Sequence, residues 1–233
     1  MARKINNGRP PKKTKPAVAI VVDGKDESLY LTIAKGYYCE VRPALRSVKV
    51  KPELPTDKKV AELFAYAKDL LNQAYTHVIL VMDFDDPLNK EDEYEQFAKY
   101  YGWYQKVHDS ETKLTAKQQK DYGWMEHLTL VVNNPCLEYW YLLHFAKGNV
   151  VRFYKQYSPE LESDVRKQPG FDKYDKSEDF YRKKPDIFTR LGGLDGLAHA
   201  SSFKQEFSLQ TCRQQGVSEM KKVFDYFDTI DIE

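Results

Sequence analysis

Hydrophobic residues fall along this chain in two patterns, unbroken runs and periodic stripes. Ala17-Val-Ala-Ile-Val-Val22, Val78-Ile-Leu-Val-Met82 and His127-Leu-Thr-Leu-Val-Val-Asn133 are near-continuous apolar runs of strand length. Strands buried on both faces of a parallel sheet read this way. Tyr37-Tyr-Cys-Glu-Val-Arg42 is expected as a further strand. Helical spacing appears between the runs. Leu29 to Lys35 follows Asp26 and Ser28, either of which suits a helix cap. Asp57 to Ala74 places Val60, Leu63, Phe64, Ala67, Leu70 and Leu71 on one face. Asn89 to Lys106 carries a stripe through Tyr94, Phe97, Tyr101 and Tyr104, and the polar stretch His108 to Tyr122 reads as a helical or loop insertion. After the third run, Asn134 suits an N-cap and Pro135 a first helical residue. Trp140, Leu142, Leu143 and Phe145 then read as core. The order β-α-β-α-β predicts an α/β fold, a mainly parallel sheet flanked by helices.

From Gly148 the chain shows no strong strand. Arg152–Arg166, Asp179–Leu191, Leu194–Phe207 and Val217–Phe227 are expected as short helices. The expected organisation is a disordered basic arm over residues 1–16, an α/β domain over 17–147, and a mostly helical C-terminal part over 148–233 packed on that domain. The arm holds six Lys and Arg, three Pro and no acid, a composition that does not build a core.

Charge changes the picture only locally. Lys and Arg number 36 against 35 Asp and Glu, a net charge of +1. No global basic field exists, so a nucleic-acid surface must come from segregated charge. The densest basic segment outside the arm is Lys173, Lys176, Arg182, Lys183 and Lys184, interleaved with Phe171, Tyr174 and Tyr181. That mixture suits phosphates and stacked bases, although a solvated charged face is the commoner case. Three widely spaced cysteines match no zinc pattern and suit a reducing compartment. No apolar stretch is long enough to span a bilayer and no signal peptide is evident. A cytoplasmic protein with no membrane partner is therefore expected.

The candidate chemistry lies where apolar runs end. Val22 leads into Asp23-Gly24-Lys25-Asp26-Glu27, Met82 into Asp83-Phe84-Asp85-Asp86, and Asn133 into a segment carrying Glu138. In a parallel sheet, strand C-termini share one rim, where ligands bind. Asp83 and Asp85 are two apart and on an extended backbone point to the same side. Close carboxylates repel unless a proton or cation lies between them. With no Lys or Arg expected beside them, they suggest one or two hard ions, Mg2+ or Mn2+. Asp26, Glu27 and Glu138 also suit helix N-termini for structural reasons. Lys25 is a candidate phosphate contact. His144 reads as a packing histidine more readily than a catalytic one. A Gly-rich phosphate loop is absent, which argues against an ATPase, and no Ser, His and Asp order supports a hydrolase triad.

Two motifs carry a resemblance. Asp23-Gly-Lys-Asp-Glu27 after one strand, with Asp83-Phe-Asp85 after a later one, looks like the Toprim pattern of topoisomerases, primases and OLD-family nucleases. Asn134-Pro-Cys-Leu-Glu-Tyr-Trp-Tyr-Leu-Leu-His-Phe145 closely resembles a segment of the RloB-like family. Tyr174-Asp-Lys176 is similar to that family's later Tyr-x-Lys element, and Asp186 to Phe227 to its helical tail. The resemblance implies a Toprim-like fold and a metal-dependent nuclease acting on DNA or RNA, tRNA among the options. It also implies a role in bacterial anti-phage defence beside a partner ATPase of the AAA or ABC type. It gives Asp83 and Asp85 the metal role and Asp23 the role of the turn acid, as acid/base or ligand, with Glu27 as an additional catalytic ligand and Glu138 on the second side of the metal site. One departure stands: the Toprim turn carries Glu, and this chain has Asp23. The carboxylate then lies about 1 to 1.5 Å nearer the backbone. Either Glu27 compensates or the module is degenerate, binding nucleic acid or sensing a phage component. A receiver-like or phosphatase-like phosphotransfer domain is a third option, disfavoured because Asp-x-Asp follows a later strand. Assembly of identical chains is left open.

Overall fold

The computed structural model describes residues 17–51, 59–73, 75–148 and 151–230. The basic arm lies outside them, as does the expected helix start at Asp57. The three apolar runs form β1 (Val18–Val22), β3 (His77–Asp83) and β4 (Leu128–Asn134). With β2 (Lys49–Lys51) and β5 (Val217–Ser218) they make one sheet in the order β2-β1-β3-β4-β5. All neighbours run parallel except β5, which pairs antiparallel with β4. The fold is thus α/β with a mainly parallel sheet.

Alternation within the buried strands divides the core in two. Val18, Ile20 and Val22 of β1, with Ile79 and Val81 of β3, pack into one cluster with α1 (Lys25–Val41), α6 (Leu137–Leu143) and α11 (Lys221–Thr229). Ala19 and Val21, with Val78, Leu80 and Met82, pack into the other with α2 (Val60–Gln73) and α4 (Glu91–His108). Residues beyond 148 enter both clusters: Leu161, Phe188 and Phe227 the first, Phe207 and Val217 the second. The remaining helices are α3 (Asp85–Asn89), α5 (Ala116–Tyr122), α7 (Pro159–Arg166), α8 (Glu178–Arg182), α9 (Ile187–Arg190) and α10 (Gly193–Ser201).

Several expected elements are corrected. Tyr37 to Val41 is not a strand but the last part of α1. Tyr30, Ala34 and Tyr38 recur every four residues and are all buried, so the helical period runs through the aromatic stretch. The second strand in sequence is Lys49–Lys51. Neither Asp26 nor Ser28 caps α1, because the helix begins earlier, with Gly24 at its N-cap and no side-chain cap. Asn134 and Pro135 do not open α6. Asn134 ends β4, the Asn134–Pro135 peptide is cis, and Cys136 is the N-cap. Asn134 instead donates through Nδ2 to the carbonyls of Cys212 and Gln215, both at 2.8 Å. The C-terminal helices are shorter than expected, and Val217–Ser218 is a strand rather than the start of a helix.

The turn after β3 is fixed from both sides. Phe84 is fully buried, edge-on to Phe97 and Phe207 at 4.7 Å each. Its N–H donates to the carbonyls of Asn133 and Pro135, and the N–H of Asp85 donates to Pro135 as well. Phe84→Ala is expected to destabilise the fold by about 3–5 kcal/mol in urea denaturation. A loss under about 1 kcal/mol would show that the ring does not anchor this turn.

Candidate functional site

The chain passes from β1 outward to β2, then crosses back over β1 to β3. The sheet therefore has its topological switch point between β1 and β3, where open α/β sheets bind ligands. Asp23 follows β1 there and Asp83 ends β3. Both line a cleft of about 200 Å³, together with Asp86, Glu93, Lys59 and Lys90.

Asp83 is held by a relay from the edge strand. Ser218 of β5 donates to Asn133 Oδ1 at 2.7 Å, and Asn133 Nδ2 donates to Asp83 Oδ1 at 3.3 Å. Burial, with Glu27 and Asp23 nearby, raises the Asp83 carboxyl well above the usual range. Asp85 does not continue the strand. It is the first residue of α3, and its Oδ1 accepts the N–H of Asp86 at 2.8 Å. The expectation that Asp83 and Asp85 share one face of an extended strand therefore fails, because the chain turns at Phe84. Burial raises Asp85, while the Asp86 amide opposes the shift.

Glu27 is 4% exposed. Burial first, then the charge of Asp23, pushes its carboxyl up to about 8. A Cβ on Gly24 would lie 2.7 Å from Glu27 Oε2. The glycine thus lets the buried carboxyl fold back against the turn.

Glu138, in the first turn of α6, is 1% exposed. Its Oε1 accepts from the Tyr174 hydroxyl at 2.7 Å and lies 2.8 Å from Lys176 Nζ, while Oε2 is buried without a hydrogen-bond partner. Lys176 also reaches Asp26 Oδ2 at 3.3 Å and lies 4.0 Å over the Tyr157 ring. The expectation of acids with no Lys neighbour is thus corrected. Burial alone would lower the Lys176 ammonium, but Glu138 and then Asp26 outweigh it and raise it. Asp26 itself is raised by burial against the pull of Lys176.

The other basic residues are not brought to the rim as one patch. Lys25 pairs with Glu178 at 3.5 Å and Arg182 pairs with Glu178 at 2.7 Å. Lys173 and Lys183 line an open hollow with Asp172, Asp175, Asp179 and Arg190, where the charges alternate. Phe171, Tyr174 and Tyr181 are fully buried, so they cannot stack bases as the interleaved pattern suggested. His144 is buried, donates Nδ1–H to the Leu191 carbonyl at 2.9 Å, and is lowered by burial to about 4. It is a neutral packing histidine. Sequence reading missed Lys59 and Lys90 as cleft residues and Tyr174 as the partner of Glu138. Only the nearness of Lys90 to Asp83 in the chain signalled any of these contacts.

Among the described residues, no three His, Cys, Asp or Glu side chains form a ready-made metal cage. Mg2+ is commonly held by one or two carboxylates, with water and substrate phosphate completing its shell. Asp23, Glu27 and Asp83 supply hard oxygen donors, and burial with neighbouring carboxylates raises Glu27 and Asp83. The donor chemistry fits Mg2+ or Mn2+.

A family model described as RloB-like protein matches residues 18–225. No curated protein and no solved structure matches the chain. No helix among the described residues is long and apolar enough to cross a membrane.

The raised carboxyls set a pH dependence. Glu27 moves from 4.5 to about 8 in the folded chain, so the folded state binds its proton more tightly. That contribution is complete below pH 4.5 and is lost as pH rises through 8. In EDTA, the melting temperature is expected to fall between pH 5 and 8.5, and less steeply in Glu27→Gln. Identical slopes in the two proteins would place the titration elsewhere.

Proposed function

The chain belongs to the RloB-like family, and on that premise we propose that it is a Toprim-type, metal-dependent nuclease cleaving phosphodiester bonds of DNA or RNA. One observation carries this reading: Asp23 and Asp83 line one cleft at the switch point, and burial together with the neighbouring carboxylates raises Asp83 and Glu27. Structural ion pairs do not explain that pattern, whereas a bound cation would relieve it.

Asp23 and Asp83 would hold the ion, with Glu27 and Asp85 as further candidate acids. The bound ion supplies Lewis-acid stabilisation of phosphoryl charge and an activated water. Glu27, with a carboxyl near neutrality, is suited to accept a proton from the attacking water or pass one to the leaving oxygen. Asn133 keeps Asp83 oriented, and Ser218 keeps Asn133 oriented. Lys59 and Lys90, in the same cleft, offer counter-charge to the flanking phosphates. Lys25, Lys173, Arg182 and Lys183 lie farther out as candidate backbone contacts. Family resemblance supports a role in anti-phage defence with a AAA or ABC ATPase restraining or releasing the activity.

A second reading is a catalytically degenerate module that binds nucleic acid or senses a phage component. The shorter Asp23 and the lack of a three-residue metal cage among the described residues favour it. Cleavage of plasmid, linear DNA and total tRNA in Mg2+, Mn2+ or EDTA separates the two. The expected result is metal-dependent cleavage, reduced at least about a hundredfold in Asp83→Ala. Cleavage unchanged in that variant would remove Asp83 from the chemistry. Absence of cleavage with and without the neighbouring ATPase would favour the degenerate module.

A further inference from the structure

Two hollows lie along the pairing of α2 with α4. The helices touch at two levels: the Val60 amide donates to Glu93 Oε2 at 2.8 Å, and farther along Phe64 stacks on Tyr100 with ring centroids 4.4 Å apart. The acid cleft takes Val60 and Leu63 from α2 and Glu93 from α4. A second hollow, of about 330 Å³, takes Phe64 and Lys68 from α2 and Tyr100 from α4, and is completed by Asp121, Tyr122 and Trp124. Along α2, the rise from Val60 to Lys68 is about 12 Å.

The second hollow is aromatic. Phe64 is fully buried, while Tyr100, Tyr122 and Trp124 are half-buried. Two of the rings are braced by a neighbouring ring: Tyr100 by Phe64, and Tyr122 by Trp103 at 4.2 Å with planes 8° apart. Rings fixed in this way lose little freedom when a flat ligand stacks on them. No Leu, Ile, Val or Met lines the hollow, and its polar side chains are a donor, Lys68, and an acceptor, Asp121. Base edges carry both kinds of partner. Lys99 and Lys120, next in the chain to Tyr100 and Asp121, are exposed. Among the described residues, none of Lys68, Lys99 and Lys120 takes part in an ion pair. Lys25 and Arg182, by contrast, are both paired with Glu178.

We propose that this hollow is a stacking site for unpaired bases of a single-stranded nucleic acid, with the unpaired lysines holding its backbone. The inference rests on the nucleic-acid reading above and deepens it. Stacking on aromatic faces beside cationic side chains is how single strands are held, and a base must leave its duplex stack to be held so. A strand following α2 from the hollow reaches the acid cleft over roughly three to four stacked nucleotides.

The test measures binding in EDTA, apart from cleavage. Fluorescence anisotropy of the purified full chain is read with a short labelled single strand, the same strand made abasic, the matching duplex, and a free mononucleotide as competitor. The single strand is expected to bind at least about tenfold more tightly than the abasic strand or the duplex. Trp124→Ala and Tyr122→Leu should each weaken it at least about fivefold, whereas Trp124→Phe, which keeps a ring face, should not. Lys68→Gln should weaken binding across sequences and flatten its salt dependence. Circular dichroism confirms that the variants are folded. Equal binding of abasic and base-bearing strands, or full binding by folded Trp124→Ala and Tyr122→Leu, overturns the inference and leaves the nucleic-acid reading standing. A mononucleotide that binds as tightly as the strand overturns it in favour of a free-nucleotide site. No binding of any nucleic acid overturns both. If the ring variants misfold, the abasic comparison on the unaltered protein decides.

Discussion

Carrying carboxylates out of water at the ends of fully apolar strands is the constraint on which this molecule turns. β1 and β3 are buried on both faces, which sets the acids that follow them at the rim of the sheet. Glu27 and Asp83 respond by holding their protons far above the usual range. Glu138 responds differently, by taking an ammonium and a phenol. Burial of an unpaired carboxylate costs several kcal/mol. A fold retaining two raised carboxyls, Glu27 and Asp83, beside one switch point is organised to receive positive charge there.

Much of the surrounding architecture keeps those acids in place. Phe84 is wedged among Phe97 and Phe207, so Asp83 and Asp85 are separated by a fixed ring rather than a flexible loop. The Pro135 carbonyl takes two amides from the β3 turn, tying that turn to the entry of α6 and hence to Glu138. The two-residue strand β5 is short, but through Ser218 and Asn133 it orients Asp83. Glu219, next in the chain, is also buried. Its Oε2 accepts the Val132 amide at 3.2 Å, which locks the C-terminal part onto β4.

The three central strands were legible because burial on both faces leaves an unbroken apolar run, and the acids were legible because they break it. Tyr37 to Val41 was not, since aromatic and β-branched residues favour strands locally. Tertiary contacts of Tyr37 with Phe188, and of Tyr38 with Phe224 and Phe227, hold the segment in α1 instead. Asp85 was misplaced because the spacing of two implies a shared face only while the backbone stays extended. The partners of Glu138 were hidden for another reason. Tyr174 lies 36 positions away in a loop, and no periodicity links such residues. Phe171, Tyr174 and Tyr181 looked like a base-stacking surface in sequence and proved to be core.

Proton release on metal binding tests the central claim most directly. Mn2+ titration calorimetry at pH 7, in buffers of different ionisation enthalpy, reads the protons displaced. With Glu27 near 8 and Asp83 also raised in the metal-free chain, binding is expected to release about one to two protons at pH 7, the Glu27 share falling as pH rises through 8. Binding with no proton release at pH 7, or no binding at all, would contradict the view that these buried carboxyls wait for a cation.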